Sequence, residues 1–145
     1  MAGPIEFFTQ DHRECDALWA AFEAAVEGGS GEEAAFARFD RALRRHLRME
    51  EEVLFPALEA ATGMQGGPTF VMRAEHEQMR GVLDAMQDLA RQADFEGVLD
   101  HGDTLLMLTQ QHNMKEEGVL YPLAERALGG SWAELATRLS SYALD

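Results

Sequence analysis

Two copies of one eleven-residue string constrain this chain more than any other feature. His46-Leu-Arg-Met-Glu-Glu-Glu-Val-Leu-Phe-Pro56 returns 66 residues later as His112-Asn-Met-Lys-Glu-Glu-Gly-Val-Leu-Tyr-Pro122. His, two Glu, Val, Leu and Pro are identical, and Phe55 becomes Tyr121. Each copy sets a His and a Glu four residues apart, one helical turn on one face. A further His precedes each copy at nearly the same offset, His12 before the first and His76 before the second. Four imidazoles and two carboxylates in this pattern read as a two-metal site inside a helical bundle.

The spacing of apolar residues predicts helices throughout and no strand. A first helix covers about 5–27 and ends at Gly28-Gly29. Ser30 and Glu33 have the capping-box spacing, opening a second helix from about 31 to the mid-fifties. Pro56 cannot donate to residue i−4, so a kink or stop is expected there, with a short helical tail over 57–61. Pro68 suits the first position of a third helix over 69–92, and Asp94 is the expected N-cap of a fourth over 95–128, broken at Pro122. Ser131 and Glu134 look like another capping box, opening a short fifth helix to about Tyr142. The halves, 5–61 and 69–128, align as a duplicated helical hairpin. The expected fold is all-α: an antiparallel up-down four-helix bundle with a short fifth C-terminal helix, residues 1–145 forming one domain.

Residue counting tests whether the six side chains meet. His12 lies 15 residues before the predicted helix end at 27, and His46 lies 15 after the next start at 31. At about 1.5 Å per residue both stand about 22 Å from their shared turn. His76 and His112 give nearly the same distance in the second hairpin. All four histidines therefore fall in one layer, with Glu50 and Glu116 one turn further along. Burying such a set without a partner costs several kcal/mol per charge, a cost that a bound cation removes.

Hard carboxylates with imidazoles and no thiolate set suit iron or manganese better than structural zinc. With two six-coordinate metals, both carboxylates bridging and an oxo or hydroxo bridge, about two positions remain open. A site with open positions can bind an exogenous ligand.

The paired H-x-x-x-E-E-x-V-L-[FY]-P strings, each with an upstream [DE]-His dipeptide (Asp11-His12 and Glu75-His76), resemble the hemerythrin-like family, also called HHE cation-binding domains. The resemblance covers about residues 5–125 and implies an up-down bundle around a non-haem di-iron centre. Carried over residue by residue, it implies His12, His46, Glu50, His76, His112 and Glu116 as metal ligands. The similar oxygen-carrying hemerythrins have a fifth His one turn from the third-helix His. Here the positions four residues either side of His76 are Met72 and Arg80, so that side is more open. His101 lies about 16 Å along the axis from His112 and is read as an ordinary His.

The net charge of −14 opposes nucleic acid and anionic lipid as partners. One cysteine, Cys15, forbids an internal disulfide, and no signal peptide or membrane span is expected, which together read as cytoplasmic. Cys15 is expected to be a buried thiol, with a redox role the alternative, and Met49, Met72, Met79 and Met114 bundle core, with Met72 and Met79 flanking His76 where they would shape a ligand pocket. Tyr121 reads equally as a hydrogen-bond donor behind the ligands or as a core aromatic. Glu51 and Glu117 point off the ligand face and are expected to hydrogen-bond or face solvent. The first functional expectation is a protein that binds or senses a small diatomic, oxygen or nitric oxide, rather than an enzyme. The alternatives are a di-iron redox enzyme consuming peroxide or nitric oxide, an iron-supplying stress-repair protein, or a metal-stabilised interaction module, for which no docking motif is visible.

Overall fold

The computed structural model describes residues 3–142, and among them every regular element is helical. Seven α-helices run as α1 (Pro4–Gly28), α2 (Glu32–Met49), α3 (Phe55–Thr62), α4 (Pro68–Arg91), α5 (Phe95–Lys115), α6 (Tyr121–Leu128) and α7 (Trp132–Leu139). One turn of π-helix, Glu50–Leu54, joins α2 to α3 without interruption, and a second, Glu116–Leu120, joins α5 to α6. The seven helices therefore make five continuous rods, as many as the sequence predicts.

The helix ends show which local signals act. Asp94 caps α5 by accepting from the Gly97 N–H at 3.0 Å. Gly29, with φ 76°, closes α1 in the left-handed conformation that an L side chain resists. Two expected caps are corrected. Gly31 is the N-cap of α2, with φ 78° and no side-chain hydrogen bond, so Ser30 lies one residue outside the helix. Ser131 occupies the N-cap position of α7 but does not cap it; its hydroxyl donates back to the Leu128 carbonyl at 3.3 Å.

The kink expected at Pro56 takes the form of the π turn before it. Phe55 N–H bonds to the Glu50 carbonyl and Tyr121 N–H to the Glu116 carbonyl, five residues back rather than four. Pro56 has no N–H to give the Glu52 carbonyl, and Arg138 of α7 supplies a donor at 3.4 Å. The fifth rod thereby helps to satisfy the backbone of the second.

α1 packs on α2 and α4 on α5, and α1 meets α6 while α2 meets α4 and α3 meets α6. The interior divides into two apolar clusters with no shared member. One gathers Phe8, Met49, Phe55, Met72, Tyr121 and Trp132; the other gathers Cys15, Trp19, Phe22, Leu43, Met79 and Leu83. His12 lies between Phe8 and Cys15 on α1, and His76 between Met72 and Met79 on α4, so the histidines mark the seam between the clusters. Met114 is corrected from core to surface: it is 74 % exposed, because two residues past the inward His112 the helix has turned through about 200°.

Candidate metal centre

The seam holds all six residues that the sequence singles out. His12, His46, Glu50, His76, His112 and Glu116 are each 3 % exposed or less. They come from α1, α2, α4, α5 and the first residues of the two π turns. Their ligand atoms form two overlapping groups, His12, His46, Glu50 and Glu116 at one pole and Glu50, His76, His112 and Glu116 at the other. Within each group the atoms lie within 4.8 Å of one another. Glu116 spans the poles, with Oε1 3.0 Å from His12 Nε2 and Oε2 3.1 Å from His112 Nε2. Glu50 Oε1 lies 3.1 Å from His76 Nε2 and 3.5 Å from His46 Nε2.

Each imidazole is held from behind. His12 Nδ1 donates to Glu117 at 2.7 Å, His46 to Asp11 at 2.7 Å, His76 to Glu51 at 2.6 Å and His112 to Glu75 at 2.8 Å. A cation sits behind each of those carboxylates: Arg13 on Glu117, Arg45 on Asp11, Arg80 on Glu51 and Lys115 on Glu75. With Nδ1 carrying the proton toward a carboxylate, each neutral ring presents the Nε2 lone pair to the seam, the arrangement a metal-binding His needs. Glu51 and Glu117 thus hydrogen-bond, as expected of them. Sequence reasoning assigned no role to Asp11 and Glu75. The signal was present, since an acid directly precedes the first His of each half.

Tyr121 is fully buried, and its hydroxyl lies 2.5 Å from Glu50 Oε2, 2.8 Å from Glu116 Oε1 and 3.1 Å from His12 Nε2. Both readings the sequence left open hold: the ring is part of the apolar cluster and the hydroxyl is a hydrogen-bond donor to the carboxylates. The π turn places it there, because residues five apart stack when each turn is widened. Phe55 holds the same position in the first copy, its ring 5.5 Å from that of His76. His101 lies apart from the site, exposed, with Nδ1 on the Gly97 carbonyl at 3.0 Å. Met72 is buried in the apolar cluster and Arg80 is engaged by Glu51, so neither brings a further imidazole.

The electrostatics match a cluster built to be completed by positive charge. Burial alone would raise the Glu116 carboxyl, yet the imidazoles of His112, His12 and His46 gathered around it hold it well below the usual carboxylate range. Burial alone would depress His46, but the charge of Glu50 and the bond to Asp11 hold it well above the ordinary imidazole value. The Tyr121 phenol is pushed far up by burial and by both carboxylates, which fixes it as a neutral donor.

The donor set fits a cation on an independent ground. His46 Nε2, Glu50 Oε1 and Glu116 Oε2 are buried without a hydrogen-bond partner, although each has an oppositely disposed group within ion-pair distance. The atoms converge on shared points instead of aligning along N–H directions. Such orphans are costly unless an ion takes their lone pairs.

The hemerythrin HHE cation binding domain family matches residues 3–124. The chain belongs to this family. Iron-sulfur cluster repair protein YtfE of Yersinia pestis (strain Pestoides F) is 40 % identical over 50 residues, which are 34 % of this chain and 23 % of that protein. YtfE of Yersinia pseudotuberculosis serotype O:1b is similar to the same extent, 40 % over 50 residues. The matched stretch thus spans under a quarter of the length of these curated relatives. No solved structure is significantly similar to the chain. The buried His/Glu clusters suit the di-iron site that family membership implies. Among the described residues, no helix is long and apolar enough to cross a membrane.

Proposed function

We propose that His12, His46, Glu50, His76, His112 and Glu116 together hold two iron ions, and that the protein binds or senses a small diatomic ligand, oxygen or nitric oxide. The observation that carries this reading is the trio of buried, unpaired donor atoms facing one another at the seam. The pairing of α1 with α2 and of α4 with α5, closed by contacts of α1 with α6 and α2 with α4, supports one antiparallel up-down four-helix bundle made from two hairpins, with α7 appended. Manganese has the same ligand preference and is the alternative metal.

Two iron ions held by these six residues, with an oxo or hydroxo bridge, would supply reversible ligand binding and electron transfer. The chain's residues do the rest. Four carboxylates behind the histidines fix which nitrogen carries the proton. Phe8, stacked 5.4 Å from Tyr121, and Phe55 beside His76 keep bulk water from the seam. Tyr121 Oη keeps a proton between Glu50 and Glu116. The single cysteine, free and buried, supports a reducing cytoplasmic setting.

A second reading is favoured by the relatives, whose printed name is iron-sulfur cluster repair protein. In it the centre supplies iron, or consumes nitric oxide or peroxide, during stress repair. One experiment separates the two. The iron-loaded chain is reduced without oxygen, exposed to oxygen or nitric oxide, and followed by its optical spectrum. A reversible adduct at one equivalent supports binding or sensing; sustained loss of the gas, or release of iron to a chelator, supports the second reading. An unchanged spectrum with two irons retained contradicts both.

A further inference from the structure

Phe55 and Tyr121 hold equivalent places in the two copies of the string, and the one atom that distinguishes them lies inside the site. Tyr121 Oη sits 2.5 Å from Glu50 Oε2 and 2.8 Å from Glu116 Oε1, and Glu116 Oε1 also takes His12 Nε2 at 3.0 Å. At the His12/His46 pole both carboxylates are therefore already engaged, and His46 Nε2 is the unpaired donor. The His76/His112 pole has only the Phe55 ring in the matching place. The oxygens nearest it, Glu50 Oε1 and Glu116 Oε2, face His76 Nε2 and His112 Nε2 at 3.1 Å each and receive no hydroxyl, and a contact between His76 Nε2 and His112 Nε2, at 3.1 Å, spans the pole. A near-symmetric scaffold thus carries an asymmetric site.

We propose that the two poles load in order: the first cation takes the His76/His112 pole, and Tyr121 holds back the second at the His12/His46 pole. This rests on the di-metal reading above and adds which pole fills first and the residue that decides it. A cation entering beside His76 displaces the imidazole contacts made there, His76 Nε2 with Glu50 Oε1 and His112 Nε2 with Glu116 Oε2 at 3.1 Å each and the His76–His112 contact, but no phenol. A cation entering beside His12 displaces the corresponding contact of His12 Nε2 with Glu116 Oε1 and, in addition, the phenol that lies on both carboxylates and on His12 Nε2. Hydrogen bonds to a carboxylate are the stronger kind. Repulsion from the first cation also weakens the second step, whatever the pole. Tyr121 is a positioning residue, and replacing it isolates its share from that repulsion.

The test is titration of Co2+ into the metal-free chain, followed by calorimetry and by the visible absorption of the bound ion. Two Co2+ per chain are expected, in two steps separated by at least about ten-fold in affinity. Tyr121→Phe is expected to tighten the weaker step by about ten-fold, the scale of one charge-assisted hydrogen bond, and to leave the stronger step in place. Structural damage weakens binding, so it cannot imitate that gain. Phe55→Tyr is expected to weaken the stronger step. His12→Ala is expected to abolish the weaker step, and His76→Ala the stronger one.

The inference is overturned if Tyr121→Phe leaves the weaker step unchanged or weakens it further, or if His12→Ala abolishes the stronger step. Two Co2+ taken up in one indistinguishable step overturn the order and leave the di-metal reading standing. Uptake of no Co2+ overturns both.

Discussion

Glu51 accepts a 2.6 Å hydrogen bond from His76 Nδ1, while its sequence neighbour Glu50 faces the Nε2 of the same ring at 3.1 Å. Consecutive residues of one helical rod thus address both nitrogens of an imidazole on another. Glu117 and Glu116 treat His12 in the same way, at 2.7 Å and 3.0 Å. The paired Glu of each string is therefore a division of labour, one carboxylate facing the seam and the next fixing the ring that faces it. Asp11 and Glu75 do the second task within each hairpin, for His46 and His112.

Removing one of these supports is expected to loosen metal without unfolding the chain. Glu51→Gln keeps the shape but loses the charge that orients His76, and iron affinity should fall by about ten- to a hundred-fold. Competition with a chelator of known affinity measures it. Unchanged affinity would show that the His76 ring needs no such support.

Metal loading should release protons, and the metal-free fold should weaken as pH rises. Burial opposes protonation of His46, His76 and His112, but the facing carboxylates outweigh it, raising all three and holding His76 at about 9. A His raised in the folded state contributes stability that is complete below its unfolded value, about 6.5, and lost as pH rises through the folded one, about 9 for His76. Metal needs the neutral ring, so apparent affinity climbs over the same window. The melting midpoint of the metal-free chain should therefore fall between about pH 6.5 and 9, with calorimetric heats of loading at pH 7 that depend on the buffer's ionisation enthalpy. A flat midpoint with buffer-independent heats contradicts this.

How much of this was legible in the sequence depends on the kind of information involved. The level of the four histidines was readable because helical rise is constant, so counting from Gly28-Gly29 and from Asp94 locates His12, His46 and His112 along their axes. The caps at Ser30 and Ser131 were misread because a serine hydroxyl competes with any neighbour able to turn the chain, and Gly31 does so at positive φ. The π turns were out of reach: Pro56 and Pro122 announce a disturbance, but whether the backbone kinks, stops or widens depends on what the neighbouring rods supply, such as Arg138 for the Glu52 carbonyl. Tyr121 depended on that outcome, since only the widened turn brings it over Glu116.

Cys15 is expected to be inert in the folded protein. It belongs to the same buried apolar cluster as Trp19 and Met79, and burial pushes its thiol up to about 12. At pH 8 roughly one molecule in ten thousand carries the reactive thiolate. Iodoacetamide should label it only in denaturant, as mass spectrometry would show. Rapid labelling of the native chain would place the thiol at the surface.

Gly102, inside α5, separates two opposing expectations. Helix propensity alone gives alanine an advantage of about 1 kcal/mol there. A Cβ at that position, however, would stand 2.3 Å from Cζ2 and 2.4 Å from Cη2 of Trp19, a rigid ring buried against Phe22 and Phe39. Gly102→Ala should therefore destabilise the chain, by about 1–3 kcal/mol in urea unfolding. A gain in stability would show that α1 and α5 separate more easily than this packing implies.

The most direct test of the whole account is an anomalous difference map from a crystal of the iron-loaded chain, collected at the iron edge. The account predicts two peaks about 3.5–4 Å apart, one beside His12 and His46 and one beside His76 and His112, with Glu50 and Glu116 contacting both. A single peak, or iron anywhere outside this seam, would contradict it.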